Sequence, residues 1–276
     1  MDDRRLSFDP FSPKEIAEKV GTVGVAKAHM PTLQTLMLGA VAGGFIGLGA
    51  LYYTLVISDA QLSFGIARVL GGVVFSLGLI LVVVAGAELF TGNNLLVMAW
   101  ADRRITTVEV LRNWTLVYIA NAVGAIGLAV VVYLSHHAGM NGGAVALTYL
   151  KIAAAKTALP FGEAFFKGML CNLLVCLAVW LALAGRSVTD KVLAIVFPIS
   201  AFVAAGFEHS VANMYFIPLG IFLAGDAGPT VGVNLATVNW HGFVSNLIPV
   251  TLGNIIGGSV LVALVYFVIY RPKPAN

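Results

Sequence analysis

Glu88-Leu-Phe-Thr-Gly-Asn93 and Glu208-His-Ser-Val-Ala-Asn213 are the two stretches on which the reading of this chain turns. In each, a Glu and an Asn stand five residues apart in the middle of a long apolar run. Glu88 is the one Asp, Glu, Lys, Arg or His of Val69–Ala101, and Val192–Gly225 carries only Glu208 and His209. A carboxylate at bilayer depth is costly unless it finds partners, so such residues are candidates for function. Around them lie poor helix-interior residues: Gly86, Thr91, Gly92, Asn93 and Asn94 in the first run, Gly206, Ser210 and Asn213 in the second, the latter flanked by Pro198 and Pro218. Both runs therefore read as broken helices. Non-helical backbone survives at membrane depth only where protein buries it or where it lines a wet cavity.

Four more stretches are free of ionisable residues: Met30–Ser58, Asn113–Ser135, Gly168–Gly185 and Gly242–Tyr270. A spanning helix needs about 20 mostly apolar residues, so six spans are predicted. Asn121-Ala-Val-Gly124 in span 3 matches Asn254-Ile-Ile-Gly257 in span 6. Spans 1–3 (about 31–135) thus repeat as spans 4–6 (about 159–271). An odd number of spans per half inverts the second half, and the site of an inverted repeat lies where its broken helices meet near the midplane. The expected fold is an all-α integral membrane protein, a 3+3 inverted repeat over residues 31–276, preceded by an arm over 1–30.

Composition agrees. Of 276 residues, 59% are hydrophobic and 11% charged, with mean hydropathy +0.93. A soluble domain averages about 25% charged residues, so a soluble or disordered chain is excluded. The net charge of +3, with no basic run beyond two residues, excludes a nucleic-acid partner. Cys171 and Cys176 lie five apart in one apolar run, which suggests neither disulfide nor metal clip. His209 has no second His or Cys at ligand spacing, and no nucleotide motif appears, so neither metal, cofactor nor enzymatic activity is expected.

Lys and Arg set the orientation. Arg4, Arg5, Lys14, Lys19, Lys27, Arg103, Arg104, Arg112, Arg186, Lys191, Arg271 and Lys273 fall on one side, against Arg68, Lys151, Lys156 and Lys167 on the other. Both termini are therefore expected in the cytoplasm, with Trp100, Trp114, Tyr133 and Tyr270 as interface anchors. In the arm, Ser12-Pro13-Lys14-Glu15 reads as a capping box, and Ile16, Val20, Val23 and Ala26 recur at helical spacing. An amphipathic helix on the membrane face follows, as an anchor or as a movable plug.

Three expectations concern the centre. Glu88 and Glu208 are read as holding their loops by accepting backbone N–H bonds, with Asn93 and Asn213 in the same structural role. His209 stands where the first repeat has Leu89, so packing alone does not call for it, and His is the side chain that titrates near neutrality. It is read as functional; His29, His136, His137 and His241 are read as surface residues. Gly39, Gly43 and Gly47 form a ridge for close helix approach, in the bundle or between subunits.

Val83-Val-Ala-Gly-Ala-Glu-Leu-Phe-Thr-Gly92, Gly168-Met-Leu-Cys-Asn-Leu-Leu-Val-Cys-Leu-Ala178 and Gly206-Phe-Glu-His-Ser-Val-Ala-Asn-Met214 resemble the signatures of the formate–nitrite transporter family. Gly185-Arg-Ser-Val-Thr-Asp-Lys191 and Asn246-Leu-Ile-Pro-Val-Thr-Leu-Gly-Asn-Ile-Ile-Gly-Gly258 resemble its bacterial formate channels most. The resemblance, over about residues 10–271, implies an aquaporin-like fold and a homopentamer in a bacterial inner membrane, in contact with lipid, passing formate and other small monovalent anions. It implies one constriction at Phe75 and Phe202 and another lined by Leu79, Leu89, Phe90, Val175 and His209, with Thr91 in a flexible loop and Asn172 and Glu208 as partners around His209. Thr91-Gly-Asn93 is the form common among nitrite members, so a nitrite channel stands as the alternative. A water or glycerol channel would carry two Asn-Pro-Ala motifs, and this chain has no Asn-Pro at all.

A bare anion crossing apolar rings loses its hydration at great cost. Lys156 and Lys167 are therefore expected to concentrate the anion at one mouth. His209 is expected to give it a proton or a hydrogen bond.

Overall fold

The computed structural model describes residues 9–59, 61–226 and 232–270. Arg4, Arg5, Arg271 and Lys273 of the charge count lie outside them. The described residues form helices α1 (Pro13–Ala28), α2 (Thr32–Ile57), α3 (Phe64–Gly86), α4 (Val97–Ala101, after a 3-10 turn over Gly92–Leu96), α5 (Thr107–Leu134), α6 (Ala144–Thr157), α7 (Phe161–Ala184), α8 (Val188–Ala205), α9 (Ser210–Asp226) and α10 (Trp240–Tyr270). Six of these, α2, α3, α5, α7, α8 and α10, are long and apolar enough to cross a bilayer.

The order reads as two copies of one unit. Helix α1 corresponds to α6, α2 to α7, the broken pair α3/α4 to α8/α9, and α5 to α10. Close approach of α2 to α5, and of α7 to α10, builds the frame. A Cβ on Gly43 would run into the Asn121 carbonyl, and one on Gly124 into the Ala40 carbonyl. Gly253 and Gly257 lie equally tight against the Phe165 and Met169 carbonyls of α7. The Gly39–Gly43–Gly47 ridge therefore serves the bundle itself, packing on Ala120, Asn121 and Leu128 of α5.

The capping box opens α1: Glu15 Oε2 accepts the Ser12 N–H at 2.9 Å while Ser12 Oγ accepts the Glu15 N–H. The apolar face of α1 is docked on protein instead of lipid. Ile16 and Val20 are buried among Leu95, Met98 and Trp180. Its leading edge is pinned as well. The Phe11 ring lies between Lys19 Nζ at 4.0 Å and the Arg186 guanidinium at 4.1 Å, and the Phe11 N–H donates to the Ala184 carbonyl.

Candidate functional site at the crossing of the broken helices

Two glycines make the breaks. Gly86 (φ +86°) ends α3 and Gly206 (φ +76°) ends α8, in the left-handed region that glycine enters without steric cost. Each turn closes the same way, with Ala87 N–H on the Val82 carbonyl and Phe207 N–H on the Phe202 carbonyl. The chain then runs non-helically through Glu88–Leu89 and Glu208–His209.

Buried backbone polar groups must be paired, and here two asparagines do it. Asn121 Nδ2 donates to the carbonyls of Glu88 (2.9 Å) and Gly39 (2.7 Å), and its Oδ1 accepts the Phe90 N–H at 2.9 Å. Asn254 repeats the pattern on Glu208 (3.0 Å), Gly168 (2.8 Å) and the Ser210 N–H (3.0 Å). The Glu88 and Glu208 N–H groups go to the Leu38 and Lys167 carbonyls.

The two carboxylates therefore do not hold the loops through backbone N–H groups, because those are already engaged. Each faces a lysine and an asparagine instead. Glu88 accepts from Lys27 Nζ (2.7 Å) and Asn93 Nδ2 (2.7 Å); Glu208 accepts from Lys156 Nζ (2.9 Å) and Asn213 Nδ2 (2.7 Å). Asn93 Nδ2 also reaches Asn113 Oδ1, and Asn213 Nδ2 reaches Asn246 Oδ1. Asn113 and Asn246 in turn donate to the carbonyls of Lys27 and Lys156. Buried ions persist when paired and hydrogen-bonded, and both clusters satisfy that rule by the same design.

His209 breaks the symmetry. It is the N-cap of α9: its Nδ1 accepts the Ala212 N–H at 3.1 Å. That fixes the tautomer, so Nε2 carries the proton and donates to Thr91 Oγ1 at 2.9 Å. The ring stacks on Phe202 (centroids 6.0 Å, 23° between planes), and Phe202 meets Phe75 edge-on at 5.7 Å.

Two cavities approach this centre from opposite faces. One, about 210 Å³, is bounded by Lys156, Arg68, Phe75, Phe202, Glu208 and His209. The other, about 440 Å³, is bounded by Lys27, Glu88, Asn93, Leu79 and Leu89, with Val20 and Val23 of α1 over it. Phe75, Leu79, Leu89, Phe202 and His209 are all buried between them.

The family profile described as Formate/nitrite transporter matches residues 14–268, nearly the whole chain. The chain belongs to the formate/nitrite transporter family. It is 43% identical over 272 residues to the formate channel FocA of Escherichia coli K12, covering 95% of each chain, and 39% identical to FocA of Haemophilus influenzae, covering 95% and 96%. Among solved structures it superposes on a pentameric formate channel with formate bound (TM-score 0.79, 38% identity, 87% of this chain and 98% of that one). It also superposes on an FNT family ion channel (TM-score 0.81, 30% identity, 92% and 98%). Both share its aquaporin-like arrangement of six spans.

In this formate/nitrite transporter, not every residue singled out in the sequence reaches a cavity. Phe90 packs edge-on against Trp114 and Tyr118, and Val175 is buried in the core. Asn172 hydrogen-bonds Thr91, the residue that His209 meets: its Nδ2 donates to the carbonyls of Thr91 (3.1 Å) and Asn254 (2.7 Å) and to Asn94 Oδ1 (2.7 Å). Trp114 is no interface anchor, since its Nε1–H donates to the Asn93 carbonyl at 3.0 Å. Lys167 is paired with Glu163 at 2.6 Å. Lys27, Asn113 and Asn246 were missed as site residues. A signal was present: Lys27-Ala-His-Met-Pro31 and Lys156-Thr-Ala-Leu-Pro160 carry the same Lys-to-Pro spacing ahead of the first span of each repeat.

Proposed function

We propose that this protein is a formate channel, assembled as a homopentamer, in a bacterial inner membrane with both termini in the cytoplasm. The observation that carries the reading is His209, placed between Phe202 and Thr91 with Nε2–H directed toward the centre of the crossing. An anion stripped of water at Phe75 and Phe202, and again at Leu79 and Leu89, needs a donor between the rings. Nε2–H is that donor, exchanging Thr91 for a carboxylate oxygen as the anion passes. Lys156 draws the anion in on one side and Lys27 on the other. Thr91, Asn172, Glu88, Glu208, Asn93 and Asn213 hold the crossing in place. Proton delivery by His209 would require Nδ1 to take up a proton and surrender the Ala212 N–H, so hydrogen bonding is the favoured role. Support for formate comes from the relatives named above.

Stopped-flow swelling of proteoliposomes in formate and in nitrite tests it. Formate is expected to permeate faster than nitrite, and His209→Phe to slow formate sharply. Faster nitrite flux would move the assignment within the family. Unchanged formate flux in His209→Phe would refute the role of the histidine.

A further inference from the structure

The two vestibules differ in charge although their carboxylate clusters match. On the Lys27 side the charged lining is Lys27 and Glu88, which neutralise one another. On the Lys156 side the lining holds Arg68, Lys156, Lys167 and Glu208. Lys156 is paired with Glu208 and Lys167 with Glu163, which leaves Arg68 with no carboxylate at ion-pairing distance among the described residues.

Arg68 is nonetheless fixed. Its Nε donates to the Ala204 carbonyl at 2.8 Å, one terminal nitrogen to the Val203 carbonyl at 3.1 Å, and the other to Tyr53 Oη at 3.3 Å. These partners are neutral, and the two carbonyls are at the C-terminal end of α8, where a cation is favoured. Three of five guanidinium N–H groups are thereby used, and the positive charge remains. A guanidinium nitrogen would lie 2.8 Å from any Cβ at residue 206, so the charge stands against the turn that delivers Glu208 and His209.

The lysines differ too. Lys27 Nζ is held by both Glu88 Oε1 and Asn93 Oδ1. Lys156 Nζ donates to Glu208 Oε1 and otherwise lies 5.6 Å from the Phe216 ring centre, and among the described residues the equivalent Asn213 Oδ1 is a buried acceptor with no donor. The ammonium on the Arg68 side therefore keeps more donor capacity for an incoming anion.

We propose that Arg68 is a positioning residue of the anion pathway, and that its uncompensated charge makes the Lys156-side vestibule bind the permeating anion more tightly than the Lys27-side vestibule. The inference rests on the anion-channel reading above. It does not set a direction of net flux. Detailed balance makes low-concentration permeability equal in both directions for a passive pore, so the signature lies in saturation. Half-saturation should come at lower anion concentration from the Lys156 face.

The experiment is formate influx by stopped-flow light scattering, in vesicles of both polarities, for wild type, Arg68→Gln and Arg68→Lys. Wild type should half-saturate at lower formate from the Lys156 face. Arg68→Gln should raise that concentration by roughly three- to tenfold, the scale of one partly screened charge, and leave the other face unchanged. Arg68→Lys keeps the charge and should keep the asymmetry. High salt should reduce the wild-type asymmetry, because the half-buried Arg68 charge borders the vestibule and is screened in part. Equal half-saturation from both faces in wild type, asymmetry unchanged by high salt, or Arg68→Lys behaving as Arg68→Gln would each overturn the proposal. If Arg68→Gln fails to fold, the lysine variant and the salt titration still decide. Absence of formate flux in wild type would instead sink the formate reading itself.

Discussion

Lys27 Nζ lies 2.7 Å from Glu88 Oε1, and it stands to Glu88 across the internal two-fold as Lys156 stands to Glu208. The amphipathic α1 thus puts a cation into the membrane-embedded site. The same helix that packs Ile16 and Val20 on protein brings Lys27 to Glu88.

Lys27→Met should therefore cost more than a surface lysine would. Removing one partner of a buried pair leaves the other charge stranded, which typically costs ~3–5 kcal/mol. A quarter of the Lys27 side chain is exposed, which places the expected loss at the lower end. Thermal unfolding of the detergent-solubilised protein measures it. Lys27→Met combined with Glu88→Gln should recover much of the loss. A double variant no more stable than the single one would show that the pair is not the cause.

Asn121→Leu and Asn254→Leu should be about equally damaging. Each asparagine serves two carbonyls and one N–H, all buried. A leucine of similar size leaves two loop groups unpaired, the Glu88 carbonyl and Phe90 N–H or the Glu208 carbonyl and Ser210 N–H, at ~1–3 kcal/mol each, while the Gly39 and Gly168 carbonyls keep their partners within α2 and α7. Little folded protein is expected from either in a detergent-extraction and size-exclusion assay. Full recovery of one variant but not the other would break the equivalence of the repeats.

These asparagines show how far the sequence could be read. The Asn121 and Asn254 motifs were visible as a matched pair, and with the two Glu-to-Asn hexapeptides they gave the inverted repeat. Their task was not visible, because it depends on which carbonyls the αL turns expose. The same fact misled the reading of Glu88 and Glu208. With their own N–H groups on Leu38 and Lys167, and those of Phe90 and Ser210 on asparagine, the carboxylates were left for lysine. Lys27 was hidden by its setting: among the charges of an amphipathic helix it counted toward orientation, and in the sequence only the Lys-to-Pro spacing it shares with Lys156 separates it from Lys14 or Lys19. His209 stood out in the sequence because an ionisable residue at mid-span has few innocent explanations. Its cap on Ala212 was not, since helix N-caps are usually Ser, Thr, Asp or Asn.

That cap separates two substitutions of His209. Asparagine can cap α9 through Oδ1 and still present an N–H; phenylalanine can do neither. His209→Asn should stay within ~1 kcal/mol of wild-type stability, whereas His209→Phe should lose a cap, ~1 kcal/mol, in addition to its donor. Formate-over-chloride selectivity should fall in the order wild type, His209→Asn, His209→Phe. Electrical recording in planar bilayers reads the ratio, and a phenylalanine variant as selective as the asparagine one would contradict the donor role.

Adjacent glycines on α2 offer a last contrast. Gly43 faces the α5 backbone: a Cβ there would meet the Asn121 carbonyl and come within 2.8 Å of the Ala125 nitrogen. Neither atom is the end of a flexible side chain, so relief requires moving α5. Asn121 rides on α5 and sets the Glu88 loop. Gly43→Ala should therefore destabilise by more than the ~1–3 kcal/mol of ordinary overpacking, and it should slow formate flux although the residue lines neither cavity. Gly44 has nothing within 4 Å of its Cβ position. Gly44→Ala should be neutral or gain up to ~1 kcal/mol from helix propensity, with normal flux. Melting temperature and flux measured side by side test both, and a normal Gly43→Ala channel would mean that the α2–α5 contact does not position the site.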